Sequence, residues 1–250
     1  MLTTFKINID NINEEQPNNK IGHLQHFTAQ KELAQTILSC YDAESKYFDG
    51  IKMQEILFPQ VSQTSIFLSH SYNDVGMALA IKNTIESRCK NTKVFIDSLY
   101  WGSVYKAQEY IERRFDCDTS SILKHLHIMI TTAIAQMIQS SKYFLFLESE
   151  NSISDRRDSA TFVNNSKPNL YRRLIQQSNK KTKITQSPWI YYELQIATMF
   201  KDSYKQKLME SGLENYKIES MQNAMKCFFD INDTIDRIQE IKLEDFIERL

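Results

Sequence analysis

The chain has 250 residues, of which 42% are hydrophobic and 24% charged, and its formal net charge is -1 at pH 7. These values are typical of a water-soluble globular protein that is long enough to bury a core. The near-neutral charge gives no general attraction to nucleic acid, and no apolar run approaches the roughly 18 residues that span a bilayer.

The first residues, MLTTFKINIDNINEEQ, do not combine a basic start with an apolar stretch. We therefore expect no secretory signal and a cytoplasmic location. The four cysteines are scattered without a CxxC pair, which favours reduced thiols over disulfides or a zinc site. They are Cys40, Cys89, Cys117 and Cys227.

Residues 1–60 lack a clear strand and contain one predicted helix, TAQKELAQTILSCYDAESKYF (28–48). Its apolar residues Ala34, Ile37, Leu38 and Tyr41 recur at helical spacing. We therefore predict a helical N-terminal extension over 1–60, followed by an α/β domain over 61–250.

Three short apolar runs then predict buried strands. They are SIFLS (65–69), KVFID (93–97) and SKYFLFLES (141–149). The segments NDVGMALAIKNTIESRC (73–89) and ILKHLHIMITTAIAQMIQSS (122–141) have helical periodicity, and Ser71 with Asp74 forms a potential capping box before the first. This alternation predicts a doubly wound parallel sheet with helices on both faces.

Two segments interrupt the alternation, VYKAQEYIERRFDCDTSS (104–121) and the long polar stretch 151–186. A connection of the second length usually forms a lid or a binding loop, or is disordered. Later signals are a weak strand at 216–218, a better one at KCFFDI (226–231) and a closing helix at 243–250.

The segment SPWIYYELQIATMF (187–200) has the pattern of a helix start, with Ser187 as the cap and Pro188 at the first helical position. Helical spacing places Glu193 within an apolar stripe. The stripe consists of Trp189, Tyr192, Ile196, Met199 and Phe200. A carboxylate there either pairs with a lysine or arginine or belongs to a functional site.

Polar residues cluster where the predicted strands end. Ser69, His70 and Ser71 follow the first strand, and the segments 97–102 and 148–151 follow the second and third. Ligands of open α/β sheets bind beyond the carboxyl ends of the strands. We therefore expect these residues and Glu193 to face one rim.

Four segments in this order resemble the TIR (Toll/interleukin-1 receptor-like) domain family, and more narrowly its bacterial, NAD-cleaving members in antiphage defence systems such as Thoeris. They are IFLSHSYNDVGMALAIKNTIE, VFIDSLYWG, SSKYFLFLESENS and SPWIYYEL. The resemblance covers about residues 61–200 and implies a flavodoxin-like sheet. VFIDSLYWG (94–102) is similar to the family's mobile BB loop, and the two interrupting segments depart from the family pattern.

The resemblance implies an enzyme that cleaves NAD+ at the nicotinamide–ribose bond, with Glu193 as its catalytic residue. NAD+ is then the substrate and no cofactor is expected. The products would be ADP-ribose or a cyclic or conjugated ADP-ribose signal. Self-association, or contact with another TIR or effector protein, is expected to complete the site.

By position, the substrate-binding candidates are Ser69, His70, Ser71, Asp97, Tyr100, Trp101 and Trp189. Tyr100 or Trp101 would stack on a nicotinamide or adenine ring, whereas core packing is the simpler role for Trp189. His125 and His127 form an HxH without further ligands, so we expect no metal site. The absence of GxGxxG and GKS/T motifs disfavours a Rossmann dehydrogenase or a P-loop NTPase.

Two alternatives remain open. A non-catalytic TIR adaptor would act through TIR–TIR contacts, and Glu193 would then be structural. A nucleoside-processing transferase on a similar sheet would also place a carboxylate at a ribose carbon, but it lacks the TIR motif order.

Overall fold

The structure, a computed structural model, describes residues 2–12, 35–101, 104–115, 119–155, 183–202 and 229–250. The strands in chain order are β1 (Thr3–Asn8), β2 (Tyr41–Asp42), β3 (Tyr47–Phe48), β4 (Ile66–Ser69), β5 (Val94–Phe95), β6 (Tyr143–Glu148), β7 (Ser154–Asp155), β8 (Lys183–Thr185), β9 (Phe229–Asp230) and β10 (Gln239–Glu240).

Helix α1 is described over residues 35–38. The other helices are α2 (Gly50–Leu57), α3 (Val75–Arg88), α4 (Asp97–Tyr100), α5 (Val104–Phe115), α6 (Thr119–Ser140), α7 (Pro188–Asp202), α8 (Asn232–Ile235) and α9 (Leu243–Ile247). None of the helices in these ranges is long and apolar enough to cross a bilayer.

A five-stranded, all-parallel sheet organises the fold, with the order β10-β1-β6-β4-β5. The three strands predicted from apolar runs are confirmed as β4, β5 and β6. Their side chains are buried on both faces of the sheet, as is usual for parallel strands covered by helices.

Helices cover both faces of the sheet, as the alternating pattern predicts. On one face Phe67, Phe95 and Phe144 pack with α2, α5, α6, α7 and α8. On the other face Leu68 and Leu145 pack with α3 and α9. The α/β class and the doubly wound arrangement are therefore confirmed.

The N-terminal strand corrects the prediction of a purely helical extension over 1–60. β1 lies inside the sheet, paired along its length with β6 and at two residues with β10. Read from the other edge, the order β5-β4-β6 is that of the first three positions of a flavodoxin-like sheet. The N-terminal strand occupies the fourth position, next to β6.

The predicted helix over 28–48 is also corrected. Residues 28–34 lie outside the described residues, and the described helix ends at residue 38. β2 and β3 then form an antiparallel hairpin. Tyr41 and Phe48 of the hairpin pack around Phe115 of α5, so aromatic contacts with a distant helix favour the hairpin over a longer helix.

The two interrupting segments have different structures. The segment 104–121 contains α5 and the beginning of α6, which pack on each other. The ends of the 151–186 segment meet, because β7 and β8 pair antiparallel and β9 joins them in a second, three-stranded sheet.

The predicted strand at 226–231 is confirmed in part as β9, but it belongs to this small sheet. The predicted strand at 216–218 lies outside the described residues. The closing helix is confirmed as α9.

Candidate active site

The candidate site lies at the carboxyl ends of β4 and β6. From β4 the chain crosses through α3 on one face to β5 on one side, and then through α6 on the other face to β6 on the opposite side. The gap between β4 and β6 is therefore the point where the winding reverses, which is the usual position of ligand sites in open α/β sheets.

Helix α7 begins as its sequence predicts. Pro188 is its first residue, and the Ser187 hydroxyl accepts a hydrogen bond from the backbone N–H of Ile190 at 3.3 Å. The capping serine fixes where the helix starts and hence which face carries Glu193.

The apolar face of α7 is displaced from the predicted stripe. Its buried centre consists of Ile190, Leu194 and Ala197, whereas Met199 is 55% exposed. Tyr192 lies at the margin, where its hydroxyl donates to the Thr131 carbonyl of α6 at 2.9 Å. The displacement arises because amphipathic rings occupy the flank of the face, with their polar groups at the edge of the core.

Glu193 remains on the buried face and is only 4% exposed. The Ser69 hydroxyl, at the end of β4, donates a hydrogen bond of 2.5 Å to Oε2 of Glu193. Burial and the negative charge of Asp97 raise the pKa of Glu193 well above its ordinary value, and the Ser69 hydrogen bond opposes this rise.

The ion-pair interpretation of Glu193 finds no support in the described part of the chain. The ion pairs found there join other residues, and none of them includes Glu193. The charge that acts on this carboxyl is that of another acid, Asp97. A buried carboxyl without a cation differs from the usual structural ion pair.

His70 follows Ser69 directly. Its Nε2 lies 3.2 Å from the hydroxyl oxygen of Ser98, on the first turn after β5. Its Nδ1 is buried and makes no hydrogen bond of ordinary geometry with the described residues. Burial lowers the pKa of His70, although Asp97, Asp74 and the Leu68 carbonyl act in the opposite direction.

Asp74 connects the turn after β4 to the end of β6. Its carboxylate is buried and accepts hydrogen bonds from Ser149 at 2.5 Å and from Asn151 at 2.6 Å. The predicted capping box is therefore wrong, since neither Ser71 nor Asp74 makes a side-chain capping bond. Ser71 contributes its carbonyl instead, which accepts from the Asp74 N–H at 2.8 Å.

The three aromatic candidates lie in or beside the core. Trp101 is 5% exposed, and its indole N–H donates to the Pro59 carbonyl at 3.0 Å, so its ring is unavailable for stacking on a ligand. Tyr100 stacks on Phe95 with ring centroids 5.2 Å apart. Trp189 is partly buried and packs edge-on against His127 of α6.

Glu148, at the end of β6, forms an ion-pair cluster. It pairs with Lys6 of β1 at 3.1 Å and with Lys183 of β8. Burial would raise the pKa of Glu148, but the hydrogen bonds from Lys183 and Lys6 outweigh that effect and lower it. The charge of this carboxylate is therefore balanced by the two lysine side chains.

The described residues contain no group of three or more potential ligands that could hold a metal ion. His125 is exposed on α6, as the surface-helix interpretation predicts. The arginines 156–157 and 172–173 lie outside the described residues.

The structure thus brings together Ser69, His70, Asp97 and Glu193 at one rim, with Ser71 in the adjoining turn. Sequence reasoning assigned Asp74 to a helix cap instead of to the site. It placed Ser98 at the rim only as part of the segment 97–102, because nothing in the sequence singled out one side of a one-turn helix. Comparisons with protein-family profiles, curated proteins and solved structures found no significant match.

Proposed function

We propose that this protein is a TIR-like enzyme that cleaves NAD+ between nicotinamide and ribose, with Glu193 as the catalytic carboxylate. The observation that supports this most is the environment of Glu193. It is a buried carboxyl at the winding reversal of the sheet, hydrogen-bonded to Ser69 and without an ion-pair partner among the described residues.

The chemistry of NAD+ explains why one carboxylate is enough. Most glycosidases need a second carboxyl group to protonate a poor leaving group. Nicotinamide in NAD+ is already a cationic pyridinium and leaves as a neutral molecule, so it needs no acid. The remaining requirement is to stabilise the positive charge that develops on the ribose, and a fixed anion in a poorly solvated site does this well.

The raised pKa of Glu193 determines the protonation state of the site before substrate binds. Without a cation nearby, burial and Asp97 favour the protonated, uncharged carboxyl. A bound pyridinium ring would favour the anion, so substrate binding and ionisation of Glu193 would reinforce each other. Because the carboxyl is 4% exposed, catalysis requires that the residues covering it move apart.

Self-association with a second copy, or contact with another TIR or effector protein, is the proposed trigger for this opening. The products are ADP-ribose or a cyclic or conjugated ADP-ribose, which would act as a signal in antiphage immunity. These parts of the proposal rest on the TIR resemblance.

The test is to incubate purified protein with NAD+ and to measure nicotinamide release by chromatography, for wild type and for Glu193→Gln. Glutamine keeps the size and the acceptor for Ser69 but cannot become an anion. We expect at least a 100-fold loss of rate, in line with the loss of an electrostatic group at a transition state. The matched control is Glu55→Gln, an exposed carboxylate on α2, which should retain the wild-type rate.

The burial of Glu193 also favours a second candidate, a non-catalytic TIR adaptor in which this residue is structural. No NAD+ turnover at any protein concentration, including conditions that drive self-association, would favour the adaptor. Turnover that survives Glu193→Gln would remove this residue from the mechanism.

A further inference from the structure

His70 follows Ser69, the residue whose hydroxyl contacts the proposed catalytic carboxyl. Ser69 and His70 are consecutive, so their Cα atoms are about 3.8 Å apart, and the Ser69 hydroxyl contacts Glu193 directly. Asp97 acts on the pKa of both His70 and Glu193. The imidazole and the carboxyl therefore lie on the same rim, both within the electrostatic reach of Asp97.

The two nitrogens of His70 have different surroundings. Nδ1 is buried, whereas Nε2 meets the hydroxyl of Ser98, a residue exposed to solvent. The contact with Ser98 places the hydroxyl of an exposed residue 3.2 Å from Nε2. In the tautomer that carries its proton on Nδ1, Nε2 has a lone pair that accepts a hydrogen bond from Ser98 or takes up a proton.

The charged groups around the imidazole are all acids in the described part of the chain. Asp97 comes from α4 and Asp74 from the turn before α3, and both stabilise the protonated ring. Glu193, on α7, is linked to the same group through Asp97 and Ser69. The effect of burial on the pKa of His70 outweighs that of the acids, so the ring is neutral near pH 7. Once the ring takes up a proton, the nearby carboxylates stabilise its positive charge.

We propose that His70 is a second catalytic residue, which takes the proton from the hydroxyl or water that captures the ribosyl group. This proposal rests on the proposed function. The bond between nicotinamide and C1′ of the ribose breaks, and its electron pair leaves with neutral nicotinamide. The acceptor oxygen then forms a bond to C1′ while its proton moves to Nε2 of His70, which later releases it to solvent.

A nucleophile that has no proton to lose does not need a general base. Comparing it with water or an alcohol therefore distinguishes a general base from a residue that only binds substrate. Nicotinamide itself can re-attack C1′ through its ring nitrogen, so isotopically labelled nicotinamide exchanges into NAD+ without a base. Water, and added methanol, must each lose a proton to give ADP-ribose or its methyl glycoside. The ratio of these products to exchanged NAD+ therefore reports the base alone, because Glu193 serves both reactions.

The experiment measures both reactions for the full chain, wild type and His70→Gln, with His125→Gln as the control. His125 is an exposed histidine on α6. We expect His70→Gln to lower the ratio by about 100-fold or more, which is typical for loss of a general base. Label exchange should stay within about threefold of wild type, and His125→Gln should change neither rate.

Parallel loss of both reactions, or no change in either, would contradict the role of His70. If His70→Gln does not fold, the pH dependence of the product ratio in wild type tests the proposal instead. The ratio should fall as the pH drops through a pKa below the ordinary histidine value, since the protonated ring cannot act as a base. A ratio independent of pH would contradict the proposal, and a wild type without exchange or solvolysis would contradict the proposed function itself.

Discussion

Glu193 is held in an environment that favours its neutral form. The Ser69 hydroxyl supplies one hydrogen bond, but the charge that acts on the carboxyl is that of the acid Asp97, and solvent is excluded. A buried acid stabilised by a single hydrogen bond is costly for the folded state whenever it must ionise. This cost can be measured without knowing the substrate.

The pH dependence of stability should reveal this carboxyl. Because its folded pKa is raised, the folded protein binds more protons than the unfolded chain between about pH 4.3, the unfolded value, and the folded pKa. The free energy of unfolding therefore falls as pH rises through this window. Glu193→Gln lacks this loss, so its stability relative to wild type should increase with pH, by about 1.4 kcal/mol for each unit of pKa shift.

Urea unfolding of wild type and Glu193→Gln at several pH values between 4 and 8 would measure this difference. Glu55→Gln is the control, since an exposed carboxylate should show no such trend. Curves for wild type and Glu193→Gln that run parallel over the whole range would show that the carboxyl is not desolvated in solution.

The sequence predicted the position of Glu193 better than the roles of its neighbours. Its place on an apolar face follows from helical spacing, which is local information. The burial of Trp101 is not local, because it depends on Phe58 and Pro59, some forty residues earlier in the chain. An aromatic residue after a strand is therefore ambiguous until its packing partners are known.

At the scale of elements, the Glu148 cluster joins three strands from distant parts of the sequence. Lys6 comes from β1, Glu148 from β6 and Lys183 from β8, and the side chains of Lys6 and Glu148 are only 11% and 15% exposed. The cluster therefore ties the second, antiparallel sheet to the carboxyl edge of the main sheet.

Glu148→Gln should destabilise the fold. The change leaves the buried ammonium group of Lys6 without its closest counter-ion, and breaking such a pair costs about 2–4 kcal/mol once residual exposure is considered. Glu244→Gln is the matched control, because the Glu244–Arg88 pair is exposed on both sides and should contribute less than about 1 kcal/mol.

Denaturant unfolding at pH 7 measures the free energy of unfolding of Glu148→Gln and Glu244→Gln. The pKa of Glu148 is lowered, so its contribution is present above the unfolded value and is lost as pH falls through the folded one. Equal effects of Glu148→Gln and Glu244→Gln would show that the cluster is as solvated as a surface pair.

Whether a strand can be recognised in the sequence depends on the pattern of its side chains. β4 and β6 are continuous apolar runs, since both faces are covered by helices. β1 occupies an equally buried position, but its two faces differ: Phe5 and Ile7 alternate with Thr4 and Lys6. Lys6 is accommodated by Glu148 across the sheet, a distant contact that the local pattern does not contain.

At the scale of the whole molecule, the N-terminal strand decides how the fold is assembled. β1 separates β6 from β10, so the edge strand β10 is joined to the rest of the sheet through β1. The remaining three strands lie in the flavodoxin-like order that alternating strands and helices predict. The position of β1 could not be predicted, because many connections are compatible with the same sequence of elements.

A pair of isoleucine substitutions tests this arrangement. Ile7 of β1 is 1% exposed and packs in the core on the α3 face, whereas Ile51 of α2 is 76% exposed. Ile7→Ala should lower the free energy of unfolding by about 2–5 kcal/mol, as expected for a buried isoleucine. Ile51→Ala should stay within about 0.5 kcal/mol of wild type, as expected for a surface change.

Both residues lie in the first 60 of the chain, so a peripheral extension would make both effects small. Because β1 is internal to the sheet, we also expect Ile7→Ala to keep one cooperative transition and to shift its midpoint for every probe alike. Urea unfolding followed by tryptophan fluorescence and by circular dichroism measures this, since Trp101 and Trp189 report the core on the opposite face from Ile7. A separate early transition seen by circular dichroism alone would mean that β1 unfolds without the rest of the sheet.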